Sequence, residues 1–581
     1  MTTAPAAEPA AGTAGSPDVA GPGAGEQLAP AAGPRSFWRP PRWWNATRNP
    51  WWICGITGAV SLVLTVGFLF LPLAGTDLSA QVARGHFVQY YGFGPVDFRW
   101  YGGIHTYGYS LFTGELNAVF GARGVGAMAS VVGAVALAYV FVRTRVARPL
   151  TASLGGAGCQ VFNLISGRTT FAFGTAVGLL AVAALVTWEL PRWPRRVLTA
   201  VLAALASGAS PVAGVFVALV GAALLIAGEH PGGRVFVNLP RSRPHLSASR
   251  VDGLFIVAGA ALPVAVVGML FSDGGRQPFD IGSAKLALAE SVACYFLIPA
   301  RYPVVRIGAF LSALGILASF YVASPVGANS MRLVILFGPV IVLAVTWLNR
   351  VRLAMALVAL LWWNPPLVTD DLGNRGNPAA HRPFFTPLIK ELEDRRPIGR
   401  IEVVPLHDHW ESTFVAETVP LARGWERQVD VERNPIFYRT SFGPDDYRVW
   451  LFENAVDYVA LPRNTSLDRW GRAEASLIEA GLPYLDKVWE NPHWELYRVG
   501  AAAPLVGGPG QLVSSGPTGV TFDVPHPGTM VVRVQWSRWL ELHGPAGACL
   551  SPAGRWTKVT VAGKGRYRLT SGLHLLQSDR C

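Results

Sequence analysis

The chain has 581 residues, of which 51% are hydrophobic and only 15% are charged, and its mean hydropathy is +0.32. Soluble domains carry about 25% charged residues, so this composition excludes a purely soluble enzyme and indicates that many side chains face a lipid bilayer. The net charge of +12 reflects arginines clustered between apolar segments, which predicts basic cytoplasmic loops and no nucleic-acid partner.

The N-terminal 50 residues are predicted to be a disordered cytoplasmic tail followed by an interfacial anchor. Residues 1–35 are rich in Ala, Pro, Gly, Thr and Glu and show no apolar periodicity. Such a segment cannot bury enough surface to offset the entropy of ordering it. Residues 36–50 mix Trp with Arg directly before the first apolar run, which is typical of a membrane interface.

Residues 51–368 are predicted to form a polytopic α-helical transmembrane domain with about 11 transmembrane helices. The apolar segments are 52–74, 124–142, 149–167, 169–188, 197–209, 211–228, 251–271, 286–300, 307–324, 331–348 and 352–368. With the N-terminus in the cytoplasm, the arginine clusters fall on inner loops, and the outer loops hold scattered cations: Arg84, Arg99, Arg123, Arg168, Arg276, Lys285 and Arg332. An odd number of spans then places the chain after residue 369 outside the cell membrane.

The first outer loop, residues 75–123, is too polar for a span yet rich in Tyr, Trp and Phe. We expect a pair of amphipathic helices lying on the membrane surface. Asp77 follows the first span and has two interpretations: a general base at the membrane surface, or the N-cap of the next helix. His105 and Glu115 are further ionisable groups of this loop that could take part in catalysis. The alternative for each is a solvated surface group without a catalytic role.

Two later outer loops offer groups that could bind a phosphate. Arg332 ends the Pro- and Gly-containing segment 324–332 at the boundary of a span. Its planar guanidinium matches the geometry of a phosphate, which favours a role in phosphate binding. The alternative is an arginine whose side chain only extends to the membrane interface. Arg276 and Asp280 lie in another outer loop and complete the same predicted pocket, with a solvated turn as the alternative.

Residues 369–500 are predicted to be an extracytoplasmic mixed α/β domain. Short buried strands are expected at RIEVVPL, DYVALP and ELYRV, and amphipathic helices at HRPFFTPLIKELEDRR and SLDRWGRAEASLIEAG. His407 and His409 share one face if HDHWE is a strand, but no third ligand supports a metal site. Arg423 and Trp425 could stack on a sugar, and packing in the core is the favoured alternative.

Residues 501–581 alternate polar and apolar positions between Gly and Pro, which predicts a small extracytoplasmic all-β module. Cys549 and Cys581 both belong to it. In an oxidising exterior they form a natural disulfide pair, and the alternative is two free thiols.

The order of features from the first span resembles the GT-C type of polytopic membrane glycosyltransferase. A span is followed by Asp77, an aromatic surface helix and the segment HTYGYSLFTGELNAVFG, residues 105–121, with Gly108 where prolines are usual. The resemblance covers residues 50–370. The segment 420–438 resembles exported C-terminal domains of actinobacterial membrane proteins of this type.

This resemblance implies transfer of a sugar from a polyprenyl-phosphate-linked donor to a cell-envelope glycan or lipid acceptor outside the membrane. Asp77 matches the position of the catalytic carboxylate, and the expected substrate-binding residues are Arg332, His105, Tyr107, Arg276 and Asp280. The resemblance leaves open whether a protein cation or a divalent metal ion stabilises the leaving phosphate, and no cofactor is assigned.

Two other functions are compatible with the sequence. A transporter or flippase of lipid-linked sugars would show inverted repeats and a polar cavity through the bilayer. In a non-enzymatic envelope protein, Asp77 would only cap a helix. The chain contains no Walker A, GxGxxG, HExxH or CxxC motif, which argues against an ATP-driven pump, a dinucleotide enzyme and a zinc protease.

Overall fold

Runs of Ala, Val, Leu and Gly form the helices of an apolar bundle in the computed structural model, which describes residues 51–73, 75–227, 250–362, 371–439, 441–574 and 580–581. The helices before residue 362 are α1 (Trp51–Leu69), α2 (Leu78–Tyr91), α3 (Thr113–Phe120), α4 (Ala122–Arg143), α5 (Pro149–Ile165), α6 (Thr169–Leu185), α7 (Arg192–Ala209), α8 (Pro211–Ala227), α9 (Arg250–Leu270), α10 (Ile281–Leu297), α11 (Pro303–Tyr321), α12 (Arg332–Val345) and α13 (Arg350–Leu361). The predicted tail and anchor, residues 1–50, lie outside the described residues.

Each of the eleven predicted spans overlaps a helix in the described residues, but these helices differ in length, and the number of spans stays a prediction. Within the described residues, five segments are long and apolar enough to cross a membrane: Trp51–Leu69, Ala122–Arg143, Arg250–Leu270, Pro303–Tyr321 and Gly327–Val345. The others are shorter or more polar. Helix α13, for example, has 12 residues and is about 18 Å long, against a hydrocarbon thickness of about 30 Å. The chain is therefore a multi-pass membrane protein, with five candidate spans among its described residues by length and composition.

The segment between α1 and α4 differs from the expected pair of surface helices. Helices α2 and α3 are present, but a short hairpin of β1 (Val96–Asp97) and β2 (Ile104–His105) lies between them. Its aromatic residues are buried under the C-terminal domains: Trp100 and Tyr101 belong to the core of the α/β domain, and Phe98 belongs to the core of the β module. The aromatic side chains of the hairpin therefore pack against protein.

A buried ion pair fixes the hairpin to α2. The Arg99 guanidinium donates to both carboxylate oxygens of Asp97 at 2.7–3.0 Å and to the carbonyl oxygen of Ala83 at 2.8 Å. The Arg99 side chain is fully buried and that of Asp97 is 5% exposed. Such a pair is costly to break because either charge alone would remain in the protein interior.

The α/β domain contains α14 (Arg382–Asp394), β3 (Ile401–Val403), α15 (Glu411–Phe414), α16 (Arg427–Arg433), α17 (Pro444–Glu453), β4 (Tyr458–Pro462), α18 (Gly471–Glu479), β5 (Leu485–Glu490) and β6 (Trp494–Val499). Its sheet has the order β3-β4-β6-β5, with β3 and β4 parallel. The three predicted strands coincide with β3, β4 and β6. The sequence analysis missed β5, an edge strand whose residues are half-buried or exposed and therefore lack a buried apolar pattern.

The β module packs a four-stranded sheet, β10-β13-β8-β7, against a three-stranded sheet, β11-β12-β9. Its strands are β7 (Gln511–Gly516), β8 (Gly519–Val524), β9 (Gly528–Gln535), β10 (Leu540–His543), β11 (Cys549–Ala553), β12 (Trp556–Val561) and β13 (Gly565–Ser571). A disulfide joins Cys549 and Cys581. The Trp539 ring stacks on Phe271 at the end of α9, which attaches the module to the bundle.

We expect Arg99→Met to lower the free energy of unfolding by about 3–5 kcal/mol, because it leaves the Asp97 carboxylate buried without its partner. Thermal unfolding of the detergent-solubilised protein, followed by tryptophan fluorescence, measures the change. The matched control is Arg566→Met, which breaks a solvent-exposed pair with Asp523 and should leave the Tm nearly unchanged. Equal shifts in the two variants would contradict the assignment.

Candidate functional site

Two glycines bring the end of α1 against the turn between α5 and α6. Gly75 and Gly167 both have positive φ, +101° and +72°. A Cβ on Gly167 would lie 2.4 Å from the backbone nitrogen of Leu78, and a Cβ on Gly75 would lie 2.5 Å from a carbonyl oxygen of the opposite turn. Only glycine fits such positions, and the contact places Asp77 beside Arg168.

The Asp77 carboxylate lies between two arginines at one end of the helix bundle. Its Oδ2 atom is 3.2 Å from Nε of Arg168 and 3.8 Å from Nη2 of Arg332. Among the described residues, the carboxylate receives no hydrogen bond from the first turn of α2. Asp77 thus occupies the N-cap position of α2, but its carboxylate pairs with arginines and does not cap the helix, and its role as a general base stays a prediction.

The two guanidinium groups are close enough to share one anion. Because both distances end on the same oxygen of Asp77, the two nitrogens are at most about 7 Å apart. The side chains of Asp77, Arg168 and Arg332 are 28%, 21% and 19% exposed, so the cluster is accessible. Arginine forks bind phosphate oxygens in pairs, and a phosphate could contact both groups at once.

Tyr109 and Arg84 form the wall of this cluster on the side of α2. The Arg84 guanidinium lies 3.8 Å from the centre of the Tyr109 ring and also pairs with Glu426 at 2.9 Å. Burial raises the pKa of the Tyr109 hydroxyl, and the nearby charge of Asp77 adds to the effect while Arg84 opposes it. Tyr109 therefore remains neutral and can only donate or accept hydrogen bonds.

The residue before Asp77 is held from two sides by the C-terminal part of the chain. The Thr76 N–H donates to Asp371 at 3.1 Å, and the Thr76 carbonyl accepts from the Trp425 indole at 2.6 Å. Burial raises the pKa of Asp371, and the nearby Arg168 and the Thr76 N–H oppose that shift. The backbone around Asp77 is thus positioned by the α/β domain as well as by the bundle.

Trp425 is itself fixed by stacking. The His409 ring lies parallel to it at 3.4 Å, and the Arg427 guanidinium lies 4.6 Å from its centre. Burial lowers the pKa of His409, but hydrogen bonds to Asp468 and Glu411 outweigh it and raise the pKa above the ordinary value. The two carboxylates thus favour the protonated form of His409, whose ring stacks on the indole that holds the Asp77 loop.

The alternative of core packing fits Arg423 and Trp425. Arg423 is 5% exposed and pairs with Asp430 at 2.8 Å and Glu474 at 3.1 Å. Both side chains are buried and unavailable for stacking on a sugar in this conformation. His409 likewise uses both ring nitrogens within the domain.

An apolar groove of about 270 Å³ runs through the bundle below Arg332. Leu333 and Val334, the next two residues of α12, line its upper end, and Val345 lines its lower end. The twelve residues between Leu333 and Val345 correspond to about 18 Å of helix. Arg332 also lies over Phe171, whose ring contacts the groove residue Phe216. Arg332 directly precedes the lining residue Leu333, so one end of the groove lies next to the arginine.

His105 and Tyr107 lie away from Asp77, in a cleft between α2 and α3. The His105 N–H donates to Asp273 at 2.9 Å, and its Nε2 is 2.8 Å from the Ser537 hydroxyl. Tyr107 packs against Phe271. The hairpin turns both side chains toward α9 and the β module, and their role in substrate binding stays a prediction.

Asp280 caps a helix. It accepts a hydrogen bond from the backbone N–H of Ser283, which lowers the pKa of Asp280, and α10 consequently begins at Ile281 instead of the predicted residue 286. The side chain of Arg276 is exposed, while its backbone N–H donates to the carbonyl of Gln428. The alternative of an ordinary turn fits both residues, and a role in substrate binding stays a prediction.

The sequence analysis missed Arg168, Tyr109 and Asp371. The sequence analysis placed Arg168 among the scattered cations of the outer loops. Arg168 lies between two apolar segments at the predicted outer face, where the positive-inside rule predicts few arginines. This departure from the rule was the available signal. Asp371 and Tyr109 reach the cluster only through tertiary contacts, for which the chain gives no local pattern.

The donor set of the cluster does not suit a divalent metal ion. Within the described part of the chain, no group of three His, Cys, Asp or Glu side chains is arranged to hold a metal. Around Asp77 the nearest charged groups are guanidinium groups, which already neutralise the carboxylate and repel a cation. The residues present fit an anion better than a cation.

The raised pKa of His409 predicts a pH-dependent stability. A histidine whose folded pKa exceeds its unfolded value, about 6.5, stabilises the fold fully below that value and loses this contribution as the pH rises through the folded pKa. We expect the His409 contribution to the Tm of the wild type to be present below about pH 6.5 and to be lost as the pH rises above that value. His409→Gln should show a flatter profile, whereas the exposed control His526→Gln should keep the wild-type slope. Parallel profiles for wild type and His409→Gln would exclude this role.

No protein-family model and no curated protein sequence matches the chain. Among solved structures, it is similar to arabinofuranosyltransferase AftD from Mycobacteria, with 15% identity, a TM-score of 0.44 and coverage of 89% of this chain and 58% of AftD. It is also similar to the Archaeoglobus fulgidus oligosaccharyltransferase, with 13% identity, a TM-score of 0.40 and coverage of 73% of this chain and 69% of that one. A third similar structure is ArnT from Cupriavidus metallidurans, with 14% identity, a TM-score of 0.35 and coverage of 77% of this chain and 98% of ArnT. This chain thus spans about three fifths of the length of AftD. These similar structures are GT-C-type membrane glycosyltransferases, the class that residues 50–370 resemble.

Proposed function

We propose that the protein is a membrane glycosyltransferase that moves a sugar from a polyprenyl-phosphate donor to an acceptor hydroxyl in the cell envelope. The observation that carries the proposal is the approach of Arg168 and Arg332 to one oxygen of Asp77, at an accessible end of the bundle. This arrangement combines a carboxylate with two cations suited to a phosphate, at the mouth of an apolar groove.

In the proposed reaction, the donor phosphate binds to Arg168 and Arg332 and displaces the Arg–Asp contacts. The Asp77 carboxylate accepts the proton of the acceptor hydroxyl while that oxygen attacks the anomeric carbon. The bond between the anomeric carbon and the phosphate oxygen breaks, and its electron pair stays on the phosphate. The two guanidinium groups stabilise this developing charge, and the proton on Asp77 later passes to water.

The groove supports a transferase over a flippase. Its lining is almost wholly aliphatic and aromatic, with isolated hydroxyls such as those of Thr175 and Ser312. Such a surface suits the isoprenoid tail, whose phosphate would sit at Arg332. A sugar headgroup crossing the bilayer would lose its hydration in this groove without replacement hydrogen bonds.

The proposal includes an orientation for the chain. We place the N-terminus in the cytoplasm, eleven helical segments in the membrane domain and both C-terminal domains outside. The arginine clusters at alternate ends of the predicted spans support this orientation. The disulfide between Cys549 and Cys581 supports it as well, because disulfides persist mainly in oxidising compartments.

Asp77→Asn should reduce sugar transfer by about 10²–10⁴-fold, because the acceptor proton loses its base. The same variant should bind undecaprenyl phosphate at least as tightly as the wild type, since it removes a negative charge from the phosphate site. Arg332→Gln should instead weaken that binding by about 10-fold or more. Transfer is measured with radiolabelled lipid-linked sugar in membranes, and binding with the purified protein in nanodiscs.

The control for both measurements is Asp523→Asn, which removes an exposed carboxylate on the β module. It should match the wild type in transfer and binding. Unchanged transfer by Asp77→Asn would refute the role of Asp77, and unchanged lipid binding by Arg332→Gln would refute the phosphate site.

The proposed orientation predicts which thiols react from outside. In intact cells, a membrane-impermeant maleimide should label the wild type only after treatment with an impermeant reductant, which opens the disulfide between Cys549 and Cys581. Cys549→Ser should be labelled at Cys581 without reductant. Labelling of Cys549→Ser only after cell lysis would reverse the orientation. Cys54, Cys159 and Cys294 are buried and give little background.

A further inference from the structure

Tyr109 is a neutral hydroxyl group beside the Asp77 cluster, and the reaction described so far gives it no role. The residue lies between β2 and α3 and its side chain is half-buried. Its hydroxyl oxygen accepts a hydrogen bond from the side-chain amide of Gln81 at 3.3 Å. The Arg84 guanidinium lies 3.8 Å from the centre of the ring and covers one of its faces. The tyrosine is thus held at its oxygen atom and at its ring.

Gln81 places the Tyr109 hydroxyl one helical turn from Asp77. Because Gln81 follows the N-cap residue Asp77 by four positions, the two side chains lie on the same side of α2. The Gln81 side chain also accepts a hydrogen bond from the hydroxyl of Thr170, in the first turn of α6. Arg168 is the residue directly before α6. The Tyr109 oxygen is therefore at the junction of α2 and α6, where Asp77 and Arg168 meet.

Arg332, the third charged group of the cluster, lies on the same side. Its guanidinium is 5.1 Å from the ring centre of Phe171, which also belongs to the first turn of α6. Burial raises the pKa of the Tyr109 hydroxyl, and the charge of Arg84 opposes this shift. Asp77 raises the same pKa and Arg332 lowers it, each by a smaller amount. Since such interactions decline with distance, the hydroxyl lies close to both charged groups.

The hydrogen bonds of Gln81 fix the direction in which Tyr109 can donate its proton. Oε1 of Gln81 accepts from Thr170, so the amide nitrogen is the atom that faces Tyr109. An amide nitrogen only donates, and the Tyr109 oxygen must accept from it. The hydroxyl proton is then available for another acceptor, and none is found for it among the described residues. Gln81 is 1% exposed, so packing holds the amide in this orientation.

We propose that the Tyr109 hydroxyl donates a hydrogen bond to the phosphate of the polyprenyl-phosphate donor, and that Gln81 is the positioning residue for this bond. The inference rests on the proposed function and adds a neutral donor to the two guanidinium groups of the phosphate site. The phosphate gains negative charge when its bond to the anomeric carbon breaks. The hydrogen bond consequently becomes stronger during the reaction, while the proton stays on Tyr109.

Binding of undecaprenyl phosphate to the full-length protein in lipid nanodiscs tests this contact, because the probe carries the phosphate without a sugar. Tyr109→Phe should weaken its affinity by about 10-fold, as expected for the loss of one hydrogen bond to a charged group. It should also lower kcat for sugar transfer, since the bond is stronger in the transition state. The matched control is Tyr139→Phe, which removes a half-buried hydroxyl bonded to Thr187 near the C-terminal end of α4. It should behave as the wild type.

Gln81→Met tests the positioning role in the same assay. It removes the amide but keeps the Tyr109 hydroxyl, so binding should weaken by a smaller factor than in Tyr109→Phe. The double variant should bind no more weakly than Tyr109→Phe alone, because the amide acts only through the hydroxyl. The double variant also leaves no unpaired amide at this contact, and it keeps the test possible if Tyr109→Phe alone is unstable. Additive losses would exclude the role of Gln81.

The proposal is overturned if Tyr109→Phe binds undecaprenyl phosphate as tightly as the wild type while Arg332→Gln binds it weakly. The phosphate site and the proposed function would then stand without Tyr109. Unchanged binding of undecaprenyl phosphate, with weaker binding of a lipid-linked sugar, would overturn it as well, because the hydroxyl would then contact the sugar. If Tyr109→Phe weakens lipid binding but Asp77→Asn retains full sugar transfer, the role of Asp77 fails and the Tyr109 contact remains.

Discussion

Burial of the segment between α1 and α4 is the constraint on which the rest of the structure depends. Its hairpin supplies Phe98 to the core of the β module and Trp100 to the core of the α/β domain, and the Arg99–Asp97 ion pair ties the hairpin to α2. Gly424 packs directly on Trp100, with no space for a Cβ. Because both C-terminal domains use this one segment as their base, its position fixes where they stand relative to the helix bundle.

The same burial defines the candidate site. Asp77 lies at the start of α2, so anything that fixes α2 also fixes the carboxylate. The arginines come from two other places in the bundle, one before α6 and one at the start of α12. Three distant parts of the chain thus meet at one end of the bundle. The meeting point lies next to one end of an apolar groove in the bundle.

The sequence predicted the helices and most strands, because apolar runs and alternating patterns are local signals. It also brought Asp77 and Arg332 together through a family resemblance, and these two side chains are in fact 3.8 Å apart. It failed where the outcome depended on tertiary contacts. Arg168 approaches Asp77 only because Gly75 and Gly167 allow two turns to touch. The hairpin could not be foreseen, since each of its strands has two residues and carries no periodic pattern.

The two hydrogen bonds of Thr76 link the position of the Asp77 carboxylate to the position of the α/β domain. One comes from the α/β domain through the Trp425 indole, and the other involves Asp371, where that domain begins. A displacement of the domain by a few ångströms would break both hydrogen bonds and release the backbone segment that carries Asp77. The Asp77 carboxylate would then move out of contact with the two arginines, so a force on the C-terminal part of the chain would break up the cluster.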